Sequence, residues 1–91
     1  MRIEGRVQGV GFRYWTAQQA RRYNLDGWVC NLRDGAVELV AQGDPAQIAA
    51  LRAAVADGPS LSRVDRIVDL PTPLASVARG FQIRMYPDVG L

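Results

Sequence analysis

Between positions 5 and 13 the chain reads Gly5-Arg6-Val7-Gln8-Gly9-Val10-Gly11-Phe12-Arg13. The run sets glycines and backbone N–H groups where the flanking pattern changes from strand to helix. The start of a helix carries unpaired N–H donors and the positive end of the helix dipole, so it is a ready site for an anion. Gly9 and Gly11 can adopt angles that turn successive N–H groups into one concavity, and neither puts a side chain in a ligand's way. Arg13, in the first helical turn, carries a planar fork matched to phosphate oxygens. These residues fit the binding of a compact phosphoryl group. Two familiar phosphate motifs are excluded by inspection. A dinucleotide fingerprint needs a third glycine where Tyr14 stands, and a Walker loop needs Gly-Lys in a chain that has no lysine.

Composition narrows the chemistry further. The 91 residues include no histidine and one cysteine, Cys30. That excludes a Ser-His-Asp or Cys-His triad, a histidine-ligated metal and an internal disulfide. With 48% hydrophobic and 22% charged residues, the chain is expected to form one globular domain over 1–91. No segment approaches the ~20 consecutive apolar residues of a membrane span, so no membrane association is expected. The opening Met1-Arg2-Ile3-Glu4-Gly5 lacks the apolar stretch of a secretory signal. An unpaired thiol fits a reducing compartment, so a cytoplasmic location is expected. All the basic residues are arginine, yet the formal net charge is only +2, too balanced to point to a nucleic-acid partner.

The elements that must position the loop follow from periodicity. Alternation over Arg2–Val7 predicts a short first strand in which Gly5 allows a close approach. Phe12, Trp15, Thr16, Ala20 and Tyr23 recur at three- and four-residue spacing and predict a helix from about Phe12 to Tyr23, with Asn24 as a left-handed cap. Leu25-Asp26-Gly27 reads as a turn into a second strand, Trp28–Leu32. Arg33-Asp34-Gly35 then reads as a tight hairpin into a third, Ala36–Gln42. Asp44 as N-cap, Pro45 at the first helical position and Gln47 as a capping-box partner start a second helix with an Ile48, Leu51, Val55 stripe. Strands follow at Leu61–Leu70, stopped by Pro71 and Pro73, and at Gly80–Met85. The order is that of an α+β, ferredoxin-like βαββαβ sandwich, with two helices on one face of a mainly antiparallel sheet of four to five strands.

Gly5–Arg13, together with Gly27-Trp28-Val29-Cys30-Asn31-Leu32-Arg33-Asp34-Gly35-Ala36-Val37-Glu38, resembles the signature pair of the acylphosphatase family. Two long motifs at this separation are far more specific than a lone glycine loop, and the resemblance extends over nearly the whole chain. It implies hydrolysis of a small-molecule acyl phosphate, with no cofactor and no metal, by a monomer. By position, Arg13 resembles the family's phosphate-binding arginine and Asn31 the asparagine that holds the attacking water. Gln8, Gly9, Val10, Gly11 and Phe12 would supply the backbone cradle. The sequence departs from the family pattern in two places. Cys30 stands where many members carry a polar or charged residue, and the stretch before Gly5 is short, so the first strand is expected to be frayed or cropped.

Such chemistry suits a chain without histidine. The leaving group of an acyl phosphate is a carboxylate, already stable as an anion at neutral pH, so no general acid is needed. Phosphoryl transfer then asks for positioning and for charge stabilisation on the equatorial oxygens. An amide such as Asn31 is no useful base, but its oxygen and NH₂ can orient water. Acetyl phosphate, carbamoyl phosphate and 1,3-bisphosphoglycerate all present the same phosphoryl group. Glu4, Asp34, Glu38 and Asp44 read as surface, turn or capping residues, Tyr14, Trp15 and Trp28 as core or near-site packing, and Arg21-Arg22 as a solvated helix face.

Other classes fit less well. An RNA-reading sheet needs aromatics on its third strand, where this chain has Ala36-Val37-Glu38-Leu39-Val40. A metal-chaperone domain needs Cys-x-x-Cys at Gln8–Gly11. A carbamoyl-phosphate-handling part of a larger maturation protein is expected to be accompanied by zinc-finger segments. An inactive anion-binding module is the remaining alternative.

Overall fold

A computed structural model of the chain describes residues 1–70 and 77–85. The elements run β1 (Arg2–Arg6), α1 (Phe12–Arg22), β2 (Asp26–Asn31), β3 (Val37–Gln42), α2 (Pro45–Asp57), β4 (Arg63–Val68) and β5 (Phe81–Arg84). They form a five-stranded sheet in the order β4-β1-β3-β2-β5. Every neighbouring pair is antiparallel except β2 and β5, which run parallel. Helix α1 packs against β2 and β5, α2 against β4, and the helices touch each other. This is the expected ferredoxin-like α+β arrangement, with the larger of the two expected strand numbers.

The helix-facing side of the sheet is set by strand alternation. Ile3, Val29, Val37, Leu39 and Phe81 meet Phe12, Ala17 and Ala20 of α1 and Leu51 and Val55 of α2 in one buried cluster. Ile48 of the expected stripe is only partly buried. Cys30, one residue beyond Val29 and therefore on the other face, is also fully buried. Burial, reinforced by the charge of Glu38, pushes its thiol pKa up. That makes it a packing residue rather than a nucleophile. On the same face the Arg84 guanidinium stacks over Trp28, 4.3 Å from the ring centroid.

Local signals set most boundaries. Asp44 caps α2 by accepting a hydrogen bond from the Ala46 amide at 2.8 Å, with Pro45 following, whereas Gln47 stays exposed. At the end of α1, Asn24 is left-handed (φ 55°), and the Asn24 and Leu25 amides donate to the carbonyls of Arg21 and Ala20. This is a Schellman ending with asparagine at its left-handed position. The first strand is not frayed. The Met1 amine donates to the Leu39 carbonyl at 2.7 Å, the Leu39 amide returns a bond to the Met1 carbonyl, and β1 pairs with both β3 and β4. β4 is shorter than expected, with Leu61 and Leu70 exposed beyond it. Its expected stops, Pro71 and Pro73, lie outside the described residues.

Asp26 and Gly27 belong to β2 rather than to a turn. Gly27 pairs with Ala41 on one side and Phe81 on the other. Its φ is 142°, and an added Cβ would sit 1.9 Å from the Val40 carbonyl oxygen. Gly5 shows the close approach expected of it, with the Arg63 carbonyl where a Cβ would be. Because backbone, not a flexible side chain, fills the space at Gly27, Gly27→Ala is expected to cost about 2–4 kcal/mol, combining strain and overpacking. Urea unfolding of the variant checks this, and an unchanged midpoint would contradict it.

Candidate active site

Residues 7–11 connect β1 to α1, and two left-handed glycines give the connection its shape: Gly9 has φ 72° and Gly11, the N-cap, φ 76°. An added Cβ at either would meet nothing within 4 Å, so glycine is required here by backbone angle and not by crowding. Among the described residues no side chain caps α1, and its first intrahelical bond runs from the Trp15 amide to the Gly11 carbonyl. The amides of the first turn are therefore left for an anion, with the helix dipole behind them.

That uncapped turn forms one wall of a pocket of about 280 Å³ lined by Val7, Gly9, Gly11, Phe12, Arg13, Tyr14, Asn31 and Ile83. The structure thus brings Arg13, Asn31, Gly9, Gly11 and Phe12 to one place. Arg13 donates to the Arg84 carbonyl at 3.1 Å, which props the guanidinium between α1 and β5. A fork with five N–H donors can make that bond and still face an anion. Asn31 closes β2, opposite Val37. Its Oδ1 is buried and, among the described residues, accepts no hydrogen bond. A buried carbonyl oxygen without a partner is uncommon and calls for a ligand or water to satisfy it.

Gln8 and Val10 do not line the pocket. Val10 packs against the core. The Gln8 side chain turns inward and donates to the carbonyls of Leu32 (2.7 Å) and Ala36 (2.8 Å). Those carbonyls bracket the β2–β3 turn, which the Leu32 amide closes by donating to the Ala36 carbonyl and Asp34 steadies by accepting from the Ala36 amide. Gln8 therefore stitches the glycine loop to the turn that follows Asn31, fixing the two halves of the site relative to each other. Nearby, Arg2 reaches Asp34 at 2.6 Å and holds that carboxyl below its ordinary pKa.

Sequence reasoning missed two contributions. Ile83 stands in the pocket wall, though it read only as one apolar position in an alternating strand; Tyr14 stands there too, the near-site of its two expected packing places. Arg21, read as solvated, donates to the Phe81 carbonyl at 2.8 Å, so α1 holds β5 through two arginines, eight residues apart. Neither Ile83 nor the Arg21 bond has a local signal, because each depends on β5 lying beside β2.

One buried group one turn beyond the site fits its surroundings poorly. The Thr16 hydroxyl is fully buried and has no hydrogen-bond partner among the described residues. Removing an unsatisfied hydroxyl while keeping the side chain's shape should help, so Thr16→Val is expected to raise stability by about 1 kcal/mol. Thermal or urea unfolding measures this, and a loss of similar size would mean that the hydroxyl is bonded in solution.

Comparison with known proteins settles the family. The sequence pattern described as Acylphosphatase matches residues 1–83. The chain belongs to the acylphosphatase family. It is 48% identical over 84 residues to an acylphosphatase of Bifidobacterium longum, covering 90% of this chain and 86% of that protein. It is 49% identical over 69 residues to one from Nitrobacter winogradskyi, covering 76% and 70%. The crystal structure of the Bacillus subtilis acylphosphatase superposes with a TM-score of 0.82 at 38% identity, covering 91% of this chain and 92% of that one. This acylphosphatase is accordingly an enzyme that hydrolyses acyl phosphates, a small-molecule substrate class. Among the described residues no helix is long and apolar enough to cross a membrane.

Proposed function

We propose that Arg13 and the backbone from Gln8 to Phe12 bind the phosphoryl group of the acyl phosphate, and that Asn31 holds the water that attacks phosphorus. The observation that carries this reading is the convergence of Arg13, the glycine loop and Asn31 on one pocket, with the Asn31 Oδ1 buried and unpartnered. The nest of amides and the guanidinium oppose the charge on the equatorial oxygens and fix the phosphoryl group in place. Water bound to the Asn31 amide is aligned with the acyl–oxygen bond to phosphorus.

As the water oxygen–phosphorus bond forms, the phosphorus–acyl oxygen bond breaks and its electron pair leaves with the carboxylate. The proton lost by water goes to a phosphate oxygen of the substrate. The chain has no histidine, and the scheme asks for no proton donor or acceptor from the protein. Gln8 acts in it as a positioning residue, through its bonds to the β2–β3 turn. We also propose that the enzyme works as a monomeric single domain in the cytoplasm, without cofactor and without a nucleic-acid partner. The buried, unpaired Cys30 supports a reducing compartment.

The test is turnover with a chelator present, comparing benzoyl phosphate with an unactivated alkyl phosphomonoester. The expected result is fast hydrolysis confined to the acyl phosphate, because only its leaving group departs without a proton donor. Dependence on added metal, or comparable hydrolysis of the monoester, would contradict the reading.

A further inference from the structure

The proposed scheme uses one end of the pocket and leaves its outer wall without a role. That wall is made by Tyr14, on the first turn of α1, and Ile83, on β5. Both are large apolar surfaces open to solvent, with Tyr14 61% and Ile83 40% exposed. Ile83 pairs with Val29, which is fully buried, yet it is itself left in the open at the site. Elsewhere in the chain a single exposed apolar residue needs no explanation. Here two of them share a pocket with Arg13 and Asn31.

We propose that Tyr14 and Ile83 form an acyl subsite that selects neutral, apolar acyl groups, aromatic ones above all, over acetyl and over charged acyl groups. This rests on the assignment of the phosphoryl group to Arg13 and the glycine loop. With phosphorus held there, the single bridging oxygen of a mixed anhydride places the acyl carbon next to the nest, and the rest of the acyl group must leave along the pocket wall. Among the described residues Arg13 is the only charged one lining the pocket. A carboxylate or ammonium on the acyl group would therefore find no dedicated partner beyond the guanidinium already assigned to phosphate. A flat apolar group can instead stack against the Tyr14 ring and cover Ile83, removing both surfaces from water.

The experiment measures kcat/KM for benzoyl phosphate and acetyl phosphate with the wild type, Tyr14→Ala, Tyr14→Phe and Ile83→Ala, with the inhibition constant of inorganic phosphate for each. The expected result is a benzoyl-to-acetyl ratio that falls about 5- to 20-fold in Tyr14→Ala and by a smaller factor in Ile83→Ala, mainly through the KM for benzoyl phosphate. Tyr14→Phe keeps the ratio, because the ring and not the hydroxyl makes the contact. Phosphate inhibition keeps its constant throughout, since free phosphate does not reach the subsite. An unchanged ratio in Tyr14→Ala and Ile83→Ala overturns the subsite while leaving the phosphoryl site intact. Phosphate inhibition that weakens in parallel with both substrates also overturns it, because these residues would then act on the nest itself. A wild type that hydrolyses neither substrate overturns the phosphoryl assignment and the subsite together.

Discussion

Arg13→Ala is expected to lower kcat/KM for an acyl phosphate by about 10³-fold or more, in a protein that still folds. The side chain adds a fixed positive charge to a nest built otherwise of neutral amides, in a pocket whose other lining residues, among those described, carry no charge. Among the described residues it donates to a backbone carbonyl, that of Arg84, and it lies outside the buried cluster. Truncation should therefore remove far more catalysis than stability. Arg13→Lys keeps the charge but not the fork, and should fall between the alanine variant and the wild type. Inorganic phosphate, a product carrying the same oxygens, should lose its competitive inhibition in the alanine variant. The measurement is steady-state kinetics beside circular dichroism. A folded Arg13→Ala enzyme within tenfold of wild type would remove Arg13 from the scheme.

Asn31→Ala is expected to act on kcat. Its amide is assigned to the water and not to the phosphoryl group, so kcat should fall about 10²- to 10³-fold while KM and phosphate inhibition move only a few-fold. Stability should hold or rise slightly, since the substitution deletes a buried oxygen that, among the described residues, has no partner. The split between kcat and KM separates two roles that the pocket alone does not. If KM rises and kcat stays near wild type, Asn31 binds phosphate and the water must be held by another group.

The parts of the fold with strong local chemistry were legible in the chain. Asp44-Pro45 starts α2, Asn24 ends α1 in the left-handed region, and the four-residue spacing of Phe12, Thr16 and Ala20 gives the buried face of α1. Gly27 was misread because a glycine at a turn and a glycine under a neighbouring backbone look the same in sequence. Only the Val40 carbonyl across the sheet distinguishes them. In the site, the glycine loop and Arg13 announce anion binding by their own physics. Asn31 does not, since an asparagine in a strand has no distinguishing neighbour pattern, and the family resemblance carried it. The bonds from Gln8 to Leu32 and Ala36 span 24 and 28 residues, and those from Arg13 and Arg21 to β5 span 71 and 60. Contacts of that range depend on strand order, which pairs β2 with β5 across more than half the chain.

In the proposed reaction water attacks phosphorus, held in the nest, rather than the acyl carbon. Hydrolysis of benzoyl phosphate by the enzyme in oxygen-18 water, followed by mass spectrometry of both products, tests it directly. The heavy oxygen should appear in inorganic phosphate, with benzoate unlabelled, because the bond between phosphorus and the acyl oxygen is the one that breaks. Label in benzoate would show attack at the carbonyl carbon and contradict the assignment of Arg13, Asn31 and the glycine loop to phosphoryl transfer.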